Sequence, residues 1–72
     1  MGDAMKHFLT KREKQIFDLL VDNYDTDDIA VQLNISSKTV RNHISNVIQK
    51  LGVKSRSHAV IELIKINEIK IK

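Results

Sequence analysis

The 72-residue sequence contains no cysteine, no proline and no tryptophan, and only two of its residues are glycines. Without cysteine the chain forms no disulfide, builds no zinc ribbon and performs no thiol catalysis. The absence of proline and the scarcity of glycine disfavour turn-rich β-sandwiches and barrels and favour helices. No apolar run approaches the roughly 20 residues that span a bilayer, and no signal peptide is recognisable. We therefore expect a single cytoplasmic domain with no membrane partner.

Acidic and basic residues occupy different parts of the sequence, which the net charge of +3 conceals. Residues 15–37 include five aspartates and no basic residue, whereas residues 38–58 include five basic residues and no acid. A localised basic stretch is typical of proteins that bind a polyanion such as nucleic acid. A solvated helix face would carry the same charge, so charge alone leaves both interpretations open.

Capping residues and the spacing of apolar residues predict an all-α domain of four helices over residues 9–72, after a flexible lead-in over 1–8. The side chains that would cap the four first turns are Thr10, Asp25, Ser36 and Ser55. The residues suited to a left-handed backbone after a helix are Asn23, Gly52 and Asn67. The last three helices are predicted to span about 26–33, 37–51 and 56–66.

The second and third helices, with their short connection, have the spacing of a helix-turn-helix motif over about 26–51. An apolar stripe fixes the buried side of the third helix. The polar residues predicted on its other side are Lys38, Asn42, Ser45 and Gln49, flanked by Arg41, Thr39, His43, Asn46 and Lys50. Arg and Lys can form bidentate hydrogen bonds with guanine, and Asn with adenine. Because this face has no acid, the pattern favours DNA binding.

Two other kinds of function compete with this interpretation. An enzyme is disfavoured because the sequence has no glycine-rich phosphate loop, no paired-carboxylate pocket and no His-x-x-x-His pair. We therefore expect no catalytic residue, no metal, no cofactor and no small-molecule ligand. A bundle that binds only proteins would explain why apolar residues cover about 220° of the fourth helix, twice what one buried face needs. It would not explain the absence of acids from residues 36–58.

The sequence resembles the LuxR/FixJ-type family of bacterial helix-turn-helix DNA-binding domains over residues 9 to about 69. The segments that carry the resemblance are Leu9–Glu13, Ile29–Ala30, Ile35–Asn46, Lys50–Val53 and Arg56–Val60. Within the family, the short chain and the run from Lys38 to Asn46 are similar to small stand-alone regulators of spore-coat genes. The alternative within the family is the DNA-binding output domain of a two-component response regulator.

The resemblance implies a nucleoid-associated transcriptional regulator that binds double-stranded DNA at two half-sites as a homodimer through its last helix, with RNA polymerase as a further partner. The implied base contacts are Lys38, Arg41, Asn42 and Ser45. The implied phosphate contacts are Ser37, Thr39, His43, Asn46, Lys50 and Lys54. The expected dimer contacts are Ile61, Ile64, Ala59 and Leu63. Asp27 stands where the family often has a lysine, which weakens the expectation of a phosphate contact there.

Overall fold

A computed structural model describes residues 8–71 and contains four helices, with no strand among those residues. The helices are α1 (Lys11–Val21), α2 (Thr26–Leu33), α3 (Ser37–Leu51) and α4 (Arg56–Lys65). The predicted all-α class is therefore confirmed, and α4 ends one residue earlier than expected. The predicted flexible lead-in lies outside the described residues except for Phe8, whose backbone is held by hydrogen bonds.

All four helices begin at the predicted caps, each of which accepts a hydrogen bond from the backbone N–H three residues later. In α1 the exchange is reciprocal, because Thr10 Oγ1 accepts from Glu13 N at 3.1 Å while Glu13 Oε1 accepts from Thr10 N at 2.9 Å. Asp25 and Asp28 form the same reciprocal pair at the start of α2. These side chains satisfy amide groups that have no partner within their own helix.

The turns after the helices use left-handed backbone at the predicted residues and at one more. Asn23, Asn67 and Gly52 have φ values of +73°, +62° and +70°. Asn34, which also has a positive φ of +58°, ends α2. The Gly52 N–H donates to Ile48 O at 3.0 Å, which closes the end of α3. Each turn is short, so successive helices pack against one another.

The hydrophobic core is centred on α3, which packs against all three other helices. Its buried residues are Val40, Ile44 and Val47, spaced as the apolar stripe predicted. The residues that meet them from the other elements include Ile16, Phe17, Ile29, Ala59, Leu63 and Ile69. Because three helices hold one side of α3, its opposite side is left on the surface.

The chain after α4 returns to the core, a feature that the sequence did not reveal. Ile69 is only 2% exposed, and the carboxylate of the neighbouring Glu68 reaches the beginning of the described chain. Glu68 accepts hydrogen bonds from the backbone N–H groups of Phe8 and Leu9, both at 3.2 Å. The segments before α1 and after α4 are therefore joined.

The burial of Ala59 and Leu63 is inconsistent with their predicted place at a dimer interface. Ala59 and Leu63 are fully buried within the protomer, where they pack on the core formed by the other helices. They cannot contact a partner without unfolding α4 from its own domain. Ile61, at 54% exposed, remains accessible, and Ile64 is half-buried.

None of the described helices has both the length and the apolar character needed to cross a membrane.

The cost of placing a side chain on left-handed backbone can be measured at Gly52. A Cβ added at Gly52 would have no heavy atom within 4 Å, so any cost of Gly52→Ala comes from the left-handed backbone alone. We expect this change to lower the free energy of unfolding by about 1–2 kcal/mol, measured by urea denaturation. The matched variant Asn34→Gly occupies the same backbone region and should leave stability unchanged or raise it. A neutral Gly52→Ala would contradict the argument.

Candidate nucleic-acid interface

The surface side of α3 carries the polar residues that the sequence placed there. Lys38, Arg41, Asn42 and Ser45 are all exposed, and none of them makes a side-chain hydrogen bond within the described part of the chain. Asn46 and Gln49 continue the exposed face toward the end of the helix. The α3 outer face, defined by these six residues, is therefore free to meet an external partner.

The first turn of α3 is anchored to the first turn of α2. Ser37 Oγ donates a hydrogen bond of 2.6 Å to Asp27 Oδ1, which places a carboxylate beside the N-terminus of α3. A negative charge is favourable there because the N-terminal end of a helix carries partial positive charge. This contact explains why an acid is accommodated at position 27. It also means that the Ser37 hydroxyl donates its proton within the protein rather than to a phosphate.

The flanks of the α3 outer face contain the remaining predicted phosphate contacts. Thr39 and His43 are half-buried, and Thr39 Oγ1 lies 2.9 Å from Ser36 Oγ, within the cap. Lys54 is exposed in the connection between α3 and α4. Arg56 is exposed in the first turn of α4 and adds a cation that the sequence analysis left without a role. Thr39 and His43 thus border the α3 outer face, which itself includes Asn46, and Lys54 follows the C-terminal end of α3.

Lys50 has a different environment from the one expected of a phosphate contact. Its Nζ lies 2.6 Å from Glu13 Oε1 and donates to Phe8 O at 3.3 Å. The same Nζ sits 5.2 Å from the centroid of the Phe8 ring, at cation–π distance. The Lys50 ammonium group therefore contacts the Glu13 carboxylate, the Phe8 carbonyl and the Phe8 ring. Lys50 is for this reason no longer proposed to contact a phosphate.

Glu13 is a buried acid whose charge depends on these neighbours. Only 6% of its side chain is exposed, and this burial by itself would raise the pKa of Glu13. Hydrogen bonds from Lys50 and Thr10, together with the positive charge of Lys50, outweigh the burial and hold the pKa of Glu13 below its ordinary value of 4.5. Glu13 is therefore an anion at neutral pH, and Lys50 is its compensating cation.

Sequence reasoning missed the two side-chain hydrogen bonds that join α3 to α2 and to α1. Asp27 and Ser37 are ten residues apart, and Glu13 and Lys50 are 37 residues apart. Periodicity along one helix does not reveal such pairs. The capping box did place Glu13 in the first turn of α1, but it gave no indication of a second partner.

Among the described residues no group of His, Cys, Asp or Glu is arranged to hold a metal ion.

Comparisons with known proteins identify the kind of domain that carries this surface. A model of the family described as bacterial regulatory proteins, luxR family, matches residues 7–63. The chain belongs to the LuxR family. It is a DNA-binding domain of a transcriptional regulator, and the family is not a family of enzymes. This membership confirms the family and helix-turn-helix fold inferred from sequence and decides against a bundle that binds only proteins.

Individual relatives from the LuxR family agree in sequence and in structure. Spore germination protein GerE of Bacillus subtilis (strain 168) is 58% identical over 66 residues, which are 92% of this chain and 89% of that protein. A solved structure of the transcription factor GerE has a TM-score of 0.91 and 57% identity, covering 93% of this chain and all of that one. Transcriptional regulatory protein DegU of Brevibacillus brevis is 44% identical over 66 residues, which are only 28% of its length.

The lowered pKa of Glu13 predicts how stability changes in acid. Because the folded protein binds this proton more weakly than the unfolded chain, the contribution is complete above about pH 4.5 and is lost as the pH falls through the folded pKa. We expect the difference in unfolding free energy between the native sequence and Glu13→Gln to shrink from about pH 6 to about pH 3 in urea titrations. A difference that stays constant over this range would contradict the role of Lys50.

Proposed function

We propose that this LuxR-family domain binds two-half-site operators as a homodimer and reads the sequence of each half-site with α3. The observation that carries this proposal is the outer face of α3, which is exposed, free of acids and fixed in rotation by a stripe packed on three helices. A helix held in this way can enter the major groove, which is wide enough for one helix. Its N-terminal half would meet the base edges.

Four side chains on this face are proposed to contact bases. Arg41 and Asn42 emerge in the second turn of α3, and Lys38 and Ser45 lie one turn to either side. An arginine can donate two hydrogen bonds to guanine O6 and N7, and an asparagine can pair with adenine N6 and N7. Each such pair is worth about 1–3 kcal/mol of discrimination against the wrong base.

A second group of residues is proposed to contact phosphates and so to position α3. This group comprises Thr39, His43, Asn46 and Lys54, with Ser37 retained only through its backbone at the N-terminus of α3. Lys50 is withdrawn from the group because its ammonium is paired with Glu13. Since each neutralised phosphate contributes about −0.9 to the slope of log affinity against log salt, binding should be strongly salt-dependent.

The dimer is proposed to form through α4. Ile61 is 54% exposed beside a groove of about 500 Å³ that Leu20, Tyr24 and Val60 also line. Ile64 lies one turn further along the same helix and is half-buried. A second copy related by a two-fold axis would cover both isoleucines with the same surface of its own α4. The patch is small, so we expect a weak dimer that DNA reinforces.

The relatives suggest the setting in which this binding occurs. Because GerE is named a spore germination protein and is similar along nearly its whole length, we propose that this chain regulates genes of sporulation, including spore-coat genes. It would act in the cytoplasm on nucleoid DNA, with RNA polymerase as the partner whose initiation it alters. The match to 28% of DegU supports a second candidate, a DNA-binding unit within a longer transcriptional regulatory protein.

Base reading is tested by Arg41→Ala and Asn42→Ala. The probe is the duplex that the native protein selects from a random pool, compared with a scrambled duplex of equal composition in fluorescence anisotropy titrations. Each variant should lose about 1–3 kcal/mol per subunit on the selected duplex and much less on the scrambled one. Lys14→Ala and Gln15→Ala, both exposed on α1, are the controls. An unchanged ratio of the two affinities would show that Arg41 and Asn42 are only solvated surface.

The dimer is tested by Ile61→Glu, with Val31→Glu as its matched control. Val31 is 82% exposed on α2, so its replacement adds the same charge away from α4. Burying an isoleucine is worth about 1.5–3 kcal/mol, so Ile61→Glu should weaken self-association about tenfold or more in sedimentation equilibrium. Cooperative binding to two half-sites should fall in parallel, while affinity for one half-site stays the same. Equal effects of the two variants would refute the α4 interface.

A further inference from the structure

A charged contact joins the C-terminal end of α3 to the start of α1. Lys50 closes this contact by reaching Glu13 Oε1 at 2.6 Å and the Phe8 carbonyl at 3.3 Å. Glu13 in turn caps α1 through Thr10. Of the ion pairs in the described chain, this is the one that joins two helices, since the Lys14–Asp18 pair lies within α1.

The two members of the pair depend on each other unequally. The Glu13 side chain is only 6% exposed, so it depends on Lys50 for its charge partner, whereas the Lys50 side chain is 34% exposed. If a phosphate drew Lys50 away, it would leave a buried carboxylate without its cation, which is costly in a protein interior. This cost favours keeping Lys50 paired with Glu13.

We propose that Lys50 is a positioning residue for sequence recognition, acting through Glu13 and not through a phosphate. The inference rests on the proposed role of α3 in reading bases. The stripe of α3 fixes its rotation, and the Lys50–Glu13 pair fixes the tilt of its far end against α1. Base-reading side chains must be held within about 0.5 Å of their productive geometry, so a change of tilt disrupts them. Non-specific binding depends on charge near the backbone and tolerates that change.

Two variants separate this role from a phosphate contact. Lys50→Met removes the cation, whereas Glu13→Gln keeps every cation and keeps the cap, because glutamine also serves at this position of a capping box. Both should lower the ratio of selected-duplex to scrambled-duplex affinity about tenfold, equivalent to one bidentate base contact. Both should leave the salt slope as it is in the native protein. Lys50→Arg should restore most of the ratio.

The controls and opposing outcomes are defined on folded protein. Lys14→Met, which removes one exposed lysine from α1, is the control and should change neither the affinity ratio nor the salt slope. Circular dichroism measures the folded fraction of each variant, and the titrations are run at a temperature well below its unfolding midpoint. A phosphate contact would instead lower the salt slope by about 0.9 per subunit in Lys50→Met and spare Glu13→Gln. Variants that melt earlier but keep the affinity ratio would reduce the pair to a stabilising role. Either result overturns the proposal.

The same titrations distinguish failure of this inference from failure of the proposed function. If the native protein selected no duplex from the random pool, base reading by α3 would itself be wrong. If it selected a duplex, and Arg41→Ala lost the preference while Lys50→Met and Glu13→Gln kept it, only the positioning role of Lys50 would fall.

Discussion

The burial of one narrow stripe on α3 is the constraint on which the rest of the structure depends. Val40, Ile44 and Val47 are each at most 3% exposed, and helices on three sides cover them. An amphipathic helix packed in this way has no freedom to rotate, because a turn of one residue would bury a polar side chain without a partner. Arg41 and Asn42 consequently point outward as a result of the same packing that folds the domain.

Much of the fold could be predicted because its signals are local. Each cap interacts with an amide three residues away, and each left-handed turn depends mainly on the residue that occupies it. The position of Ile69 in the core could not be predicted from its surroundings, where isoleucine and charged residues alternate over four residues. A segment so short has no periodicity that distinguishes a buried residue from an exposed one.

The residue types at the candidate site could be predicted from the sequence, but the hydrogen bonds that some of them form within the protein could not. The helical pattern of α3 correctly separated the outer face from the core, because both depend on one 3.6-residue repeat. It could not show that Ser37 is hydrogen-bonded to Asp27 or that Lys50 is bonded to Glu13. Whether a polar group is free for DNA depends on side chains supplied by other helices, and those distances arise only when the chain folds.

The Glu68 carboxylate has a consequence for how this small domain opens. By accepting from the N–H groups of Phe8 and Leu9, it joins segments about 60 residues apart and brings both ends of the described chain to one place. Helical proteins usually fray at their two ends independently. Here Phe8 and Leu9, just before α1, cannot detach without breaking both hydrogen bonds to Glu68, which adjoins the buried Ile69. Amide hydrogen exchange in these two regions should therefore share a single opening step, so that the ends of the domain unfold as one unit.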